Sequence, residues 1–201
     1  MIRILLIRHG ATDLLGRVLY GRMQGVNLNS EGLAQAEQLA SVLNARYKIA
    51  GIVSSPLERA MQTALPIARP CELTIEIDDG ITEIDFGSWM GKSFDELNGL
   101  AGWKRYNRSR STSQPPGGES MMEVQARAWG ALERLTQCHP SSKDATIAVI
   151  SHGDVIRALL LLFLGIPIDH IHRMEIAPAS VSEVLLGLHE PIVNRMNEFF
   201  Y

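Results

Sequence analysis

Three stretches of this chain set chemically capable side chains directly after an aliphatic run: Arg8-His9-Gly10, Ser54-Ser55-Pro56 with Arg59 just beyond, and Ser151-His152-Gly153. Singly, each is a polar end to an apolar segment. Together they offer two arginines and two histidines, a set that matches one kind of ligand. Arginine presents a planar fork of donors suited to phosphate oxygens. Both arginines, with a protonated histidine and the amides of a helix start, would neutralise a phosphate dianion. The other histidine could then attack phosphorus, because neutral imidazole is nucleophilic when its second ring nitrogen is held by an acceptor. Most of the rate gain would come from positive charge fixed around the phosphoryl group. The leaving alcohol needs a proton, and Glu83, in Glu83-Ile84-Asp85-Phe86-Gly87-Ser88-Trp89, is the best candidate to give it. Near a bound phosphate its pKa would rise through like charge, which suits a general acid. This chemistry calls for no metal and no organic cofactor.

These residues can meet only if strands deliver them to one edge. Short β-branched runs alternate with longer helical ones, the signature of a layered α/β domain. Strands are expected at 2–7, 49–53, 73–77, 146–150, 172–176 and 181–188. The last two are joined by Ala177-Pro178-Ala179-Ser180, too short for a parallel crossover, so they should pair antiparallel. Helices are expected from Ser30 as N-cap, with Leu33, Ala36, Leu39, Ala40 and Leu43 on one face; from Pro56 through Ala64, ended or bent by Pro66; over 120–137, with Met121, Met122, Trp129 and Leu132 in the core; and over 154–164. Ligands of open α/β sheets bind at the carboxyl ends of the strands, where helix N-termini point inward. The segment 93–118 breaks the pattern with a short helix near 94–97, a basic stretch (Lys104, Arg105, Arg108, Arg110) and Pro115-Pro116-Gly117-Gly118. It reads as an insertion or lid over one domain spanning 1–201. The basic stretch itself reads first as a solvated face, with a substrate-reading lid over the pocket as the alternative.

At these residues the sequence resembles the histidine phosphatase superfamily, the phosphoglycerate-mutase-like group. The resemblance implies a three-layer α/β/α sandwich, its sheet mostly parallel with one antiparallel strand. It makes His9 the phosphorylated nucleophile, Arg8 and Arg59 phosphate ligands, and His152 the second histidine of the pocket. Ser54–Ala64 is similar to the family's second motif, and Ser151-His152-Gly153 with Ile156-Arg157 to its third. Glu83 with Phe86-Gly87 and Trp89, and Gly117-Gly118-Glu119-Ser120, resemble its small-phosphatase branch. Thr12, Gly21, Arg22 and Gly153 are the further substrate contacts so implied. The chain departs from the common pattern at Leu15, where many members carry Asn; at Ala11 and Thr12, where a glutamate is frequent; and at Met90, where Glu is common.

The reaction expected is hydrolysis of a small phosphorylated metabolite through phosphohistidine. The rivals are a mutase that returns the phosphoryl group to a second oxygen, whose relatives carry longer insertions and tails, and a non-catalytic phospholigand-binding domain. A metal site from His9, His152, Asp78, Asp79, Glu83 and Asp85 is disfavoured, because the arginines beside the histidines would repel a divalent cation. A net charge of -3 gives no general attraction to nucleic acid or to an anionic membrane surface. The longest apolar stretch, 158–166, is too short to span a bilayer. Cys71 and Cys138 lack disulfide-framework spacing and read as reduced thiols of a cytoplasmic protein. His139, His170, His172 and His189 read as structural or surface residues, and a homodimer is compatible with the sequence without being signalled by it.

Overall fold

In the computed structural model of the chain, which describes residues 1–138, 145–187 and 190–200, the aliphatic runs become strands buried on both faces. β1 (Ile2–Arg8) sends Ile2, Ile4 and Leu6 into one hydrophobic cluster and Leu5 and Ile7 into another, since alternate side chains point to opposite faces. There follow α1 (Ser30–Arg46), β2 (Ile49–Ser54), α2 (Glu58–Ala68), β3 (Ile75–Ile77), α3 (Phe94–Asn98), α4 (Ala101–Arg108), α5 (Met121–Cys138), β4 (Thr146–Ser151), α6 (Gly153–Phe163), β5 (Val181–Leu186) and β6 (Ile192–Glu198). The sheet order is β3-β2-β4-β1-β5-β6. β3, β2, β4 and β1 run parallel, and β5 alone runs against them, pairing with β1 on one side and β6 on the other. α1 and α2 cover one face with Leu39, Leu43, Ala60, Ala64 and Ile67. α5 and α6 cover the other with Val124, Leu132, Val155 and Leu159. The result is the three-layer sandwich.

Several expectations are corrected. Asn29, not Ser30, caps α1, its side chain accepting from Gly32 N at 2.8 Å. Leu33 is exposed, and Gly32 takes its place on the buried face. Helix α2 begins at Glu58 rather than Pro56 and continues past Pro66 to Ala68. Burial of Pro66, Ile67 and Ala68 holds the last turn despite the missing amide. The third strand is only Ile75–Ile77. No strand forms at 172–176: residues 168–173 are a 3₁₀ segment that buries Ile168 and Ile171, the spacing such a turn stacks. The hairpin partner of β5 is instead β6, largely exposed at the sheet edge and too polar to stand out as an apolar run. Met122 is exposed while Met121 and Leu132 are in the core. Leu188, His139 and His189 lie outside the described residues. Among those described, no helix is long and apolar enough to cross a membrane.

Candidate active site

β1, β4 and β2 are parallel neighbours, so their carboxyl ends, and the residues just past them, lie side by side. The pairing continues beyond the strands: His9 N donates to Ser151 O at 3.0 Å, and Ser55 N to Ile150 O at 3.0 Å. His152 is the N-cap of α6 in extended conformation, and Arg59 enters from the first turn of α2. The first-turn glycine of α1 closes the back of the site. A Cβ on Gly10 would lie 2.6 Å from Gly32 O, so glycine is required for this approach.

His9 and His152 are both buried, with ring centroids 5.2 Å apart. His9 Nδ1 lies 2.8 Å from Gly10 O. A carbonyl only accepts, so Nδ1 carries the proton and Nε2 presents its lone pair. Arg59 Nε donates to that nitrogen at 3.3 Å, Arg59 Nη2 donates to Gly21 O at 2.6 Å, and its guanidinium stands over the Tyr20 ring at 4.8 Å. Burial, then the Arg59 and Arg8 charges, hold the His9 imidazole well below the usual histidine pKa. His152, 2.8 Å from Ser55 Oγ, is lowered likewise by burial, Arg59, His9 and Arg8. Both rings are therefore neutral, which differs from the expected protonated histidine: the arginines supply the fixed charge. Arg8 Nη1 donates to Ile176 O. Arg8 Nε and Arg59 Nη1 are buried and have no protein partner among the described residues. Buried guanidinium donors left open in this way suit an anion.

Glu83 and Arg8 share a cavity of about 220 Å³ with Gly21, Gly153, Leu15, Tyr20, Phe94 and Trp103 among its other lining residues. Glu83 is pushed up to about 7, first by burial and then by Asp154, against the lowering effect of Arg59, the Ile84 amide and Arg8. The expected cause, like charge from phosphate, thus acts on a carboxyl already raised by the protein. Gly153 opens α6, an 11-residue helix whose N-terminus faces this cavity.

Of the expected site residues, Arg8, Gly21, Glu83 and Gly153 line this cavity, while His9, Arg59, His152, Thr12 and Arg22 do not. Thr12 lines a separate cavity with Asp13, Asn29 and Gln35. Arg22 donates from Nε to Glu83 O at 2.7 Å and from Nη2 to Glu119 Oε2 at 2.9 Å, and it is not among the residues lining the Glu83 cavity. Sequence reasoning missed Asn107, Asp154 and His172 at the cavity wall, and had Arg110 there only under the alternative reading of the basic stretch as a lid. Lys104, Arg105 and Arg108 are the solvated face expected of the basic stretch, but Arg110 is 3% exposed. It donates to Asp154 at 3.3 Å and to Asn107 at 2.8 Å, and lies 3.4 Å from His172 Nε2. A further signal for this cluster is Asp154, an acid two residues past His152 that also pairs Arg157 at 3.0 Å.

The chain belongs to the histidine phosphatase superfamily (branch 1), whose model matches residues 4–198. It is 36% identical over 90% of its length to the "Bifunctional protein" of Mycobacterium tuberculosis, of which it spans 49%, so it is about half the length of that relative. It is 30% identical to "Phosphoserine phosphatase 1" of Hydrogenobacter thermophilus, covering 98% of this chain and 92% of the other. Among solved structures it resembles the mycobacterial glucosyl-3-phosphoglycerate phosphatase complexed with VO3, with a TM-score of 0.87, 28% identity and coverage of 97% of this chain and 98% of that one.

Proposed function

We propose that the chain is a phosphatase of small phosphomonoesters that works through a phosphohistidine at His9. The observation that carries this is a His9 whose Nδ1 proton is held by Gly10 O, leaving Nε2 unprotonated beside Arg59, in the same site as a Glu83 carboxyl raised to about 7. In the first step His9 Nε2 forms a bond to phosphorus while the bond to the leaving oxygen breaks, and Glu83 gives that oxygen its proton. In the second, water attacks phosphorus, the Glu83 carboxylate takes the water's proton, and the phosphorus–nitrogen bond breaks to release phosphate. Arg8, Arg59, His152 and the α6 amides hold the phosphoryl oxygens throughout, and no metal or cofactor takes part. The substrate is a phosphorylated metabolite. Phosphoserine and glucosyl-3-phosphoglycerate, named for two of the relatives, indicate its size and class. Segment 93–118 supplies Phe94, Trp103, Asn107 and Arg110 to the cavity and so reads the group that leaves.

The test is hydrolysis of 4-nitrophenyl phosphate by wild type and by His9→Ala. The variant is expected to lose at least about three orders of magnitude in kcat. Equal turnover by the two would remove His9 from the mechanism and the proposal with it.

A further inference from the structure

The Gly117-Gly118-Glu119-Ser120 motif has no part in the chemistry above, yet it is built tightly against the loop that bears Glu83. A Cβ on Gly118 would lie 2.4 Å from Asp85 O, and one on Gly87 2.3 Å from Pro116 O, so the two backbones meet at glycines. Glu119 N donates to Asp85 O at 2.9 Å. The Glu119 carboxylate then takes hold of two arginines. Arg127 Nε donates to its Oε1 at 2.6 Å and Arg127 Nη2 to its Oε2 at 3.0 Å, while Arg22 Nη2 donates to Oε2 at 2.9 Å.

Both arginines also bind the same acceptor. Arg22 Nε donates to the Glu83 carbonyl at 2.7 Å, and Arg127 Nη2 donates to it at 3.3 Å, with Arg127 Nη1 on Gly80 O at 2.7 Å. The backbone of Glu83 is thus gripped from the 21–25 loop and from α5, and one carboxylate orients both grips. Glu119 does not line the cavity. Charge-assisted, partly bidentate pairs of this kind fix orientation as well as adding energy.

We infer that Glu119 is a positioning residue: through Arg22 and Arg127 it aims the Glu83 carboxyl at the leaving oxygen. This rests on the reading of Glu83 as general acid. It predicts an effect that depends on the substrate, because an alkoxide needs a proton to leave and 4-nitrophenolate scarcely does.

The experiment measures kcat/KM, which reports phosphoryl transfer to the enzyme, for an alkyl phosphate (phosphoserine) and for 4-nitrophenyl phosphate in wild type, Glu83→Gln, Glu119→Gln and Arg127→Lys. Thermal unfolding is recorded for each. Glu119→Gln is expected to lower kcat/KM for the alkyl ester roughly tenfold or more beyond its effect on the aryl ester. Arg127→Lys, which keeps the charge but not the fork, should show the same bias and serves if Glu119→Gln does not fold. Equal losses on both esters, or no loss, in the variant that folds would overturn the positioning role. If Glu83→Gln itself shows no leaving-group bias, the acid assignment fails first, and the two failures are told apart.

Discussion

In the proposed mechanism Glu83 has to be protonated when the substrate arrives and ionised when water attacks, which demands a pKa near the working pH. Burial and the charge of Asp154 place it at about 7, while His9 stays neutral well below the ordinary imidazole range. Once the substrate's own second ionisation at about pH 6 is allowed for, the kcat/KM profile on an alkyl phosphate should therefore fall as pH rises past about 7, where the acid is lost. A profile that instead climbs through that range would contradict the assignment. The same shift bears on stability. The folded-state pKa lies above the ordinary carboxyl value, so the folded protein binds this proton more tightly than the unfolded chain does. The associated stability is present at low pH and is lost between roughly pH 4.5 and 7. Glu83→Gln, which cannot ionise, should then be more stable than wild type at pH 8 by on the order of 1–3 kcal/mol, with the gain gone near pH 4.5. Chemical denaturation at the two pH values checks it.

At the scale of elements, the start of α1 sets where the His9 loop can lie. A Cβ on Gly32 would fall 2.1 Å from Ala11 O, so Gly32→Ala should push the loop outward. It is expected to destabilise by roughly 1–3 kcal/mol and to lower kcat with it. Asn29→Ala removes only a cap, at a cost of about 1 kcal/mol, and should spare kcat. Thermal melts with parallel assays separate them, and equal effects on kcat would show that the contact at Gly32 does not shape the site. What was legible in the chain follows from the same geometry. β1, β2 and β4 read as aliphatic runs, and the residues at or just past their ends, Arg8, His9 and His152, were legible with them. Arg59 was legible because one helical turn fixes its reach. β6 was not, because an exposed edge strand carries no apolar alternation. Nor were Asn107, Arg110 and His172, which come from α4, a turn and a 3₁₀ segment. Only tertiary packing brings them to one wall. Arg22 was legible as a residue of the site region, but its bonds to Glu83 O and Glu119 were not, since sequence spacing cannot say which way a loop arginine turns.

Over the whole molecule, charge is sorted rather than spread. A chain of net charge -3 keeps Arg59 buried and Arg8 half-buried around two histidines held below the usual imidazole pKa, so its attraction for anions is local. Activity is accordingly expected to persist in excess EDTA; a loss restored by a divalent cation would revive the metal-site alternative. Incubation with 3-phosphoglycerate and catalytic bisphosphoglycerate should release free phosphate; rapid formation of 2-phosphoglycerate without it would make the chain a mutase. The most direct measurement is to quench the enzyme within milliseconds of mixing it with a ³²P-labelled substrate and map the label. An acid-labile, base-stable phosphoryl group is expected on the peptide containing His9, absent from His9→Ala. Label on any other residue, or full turnover with no phosphoenzyme at any time, would contradict it.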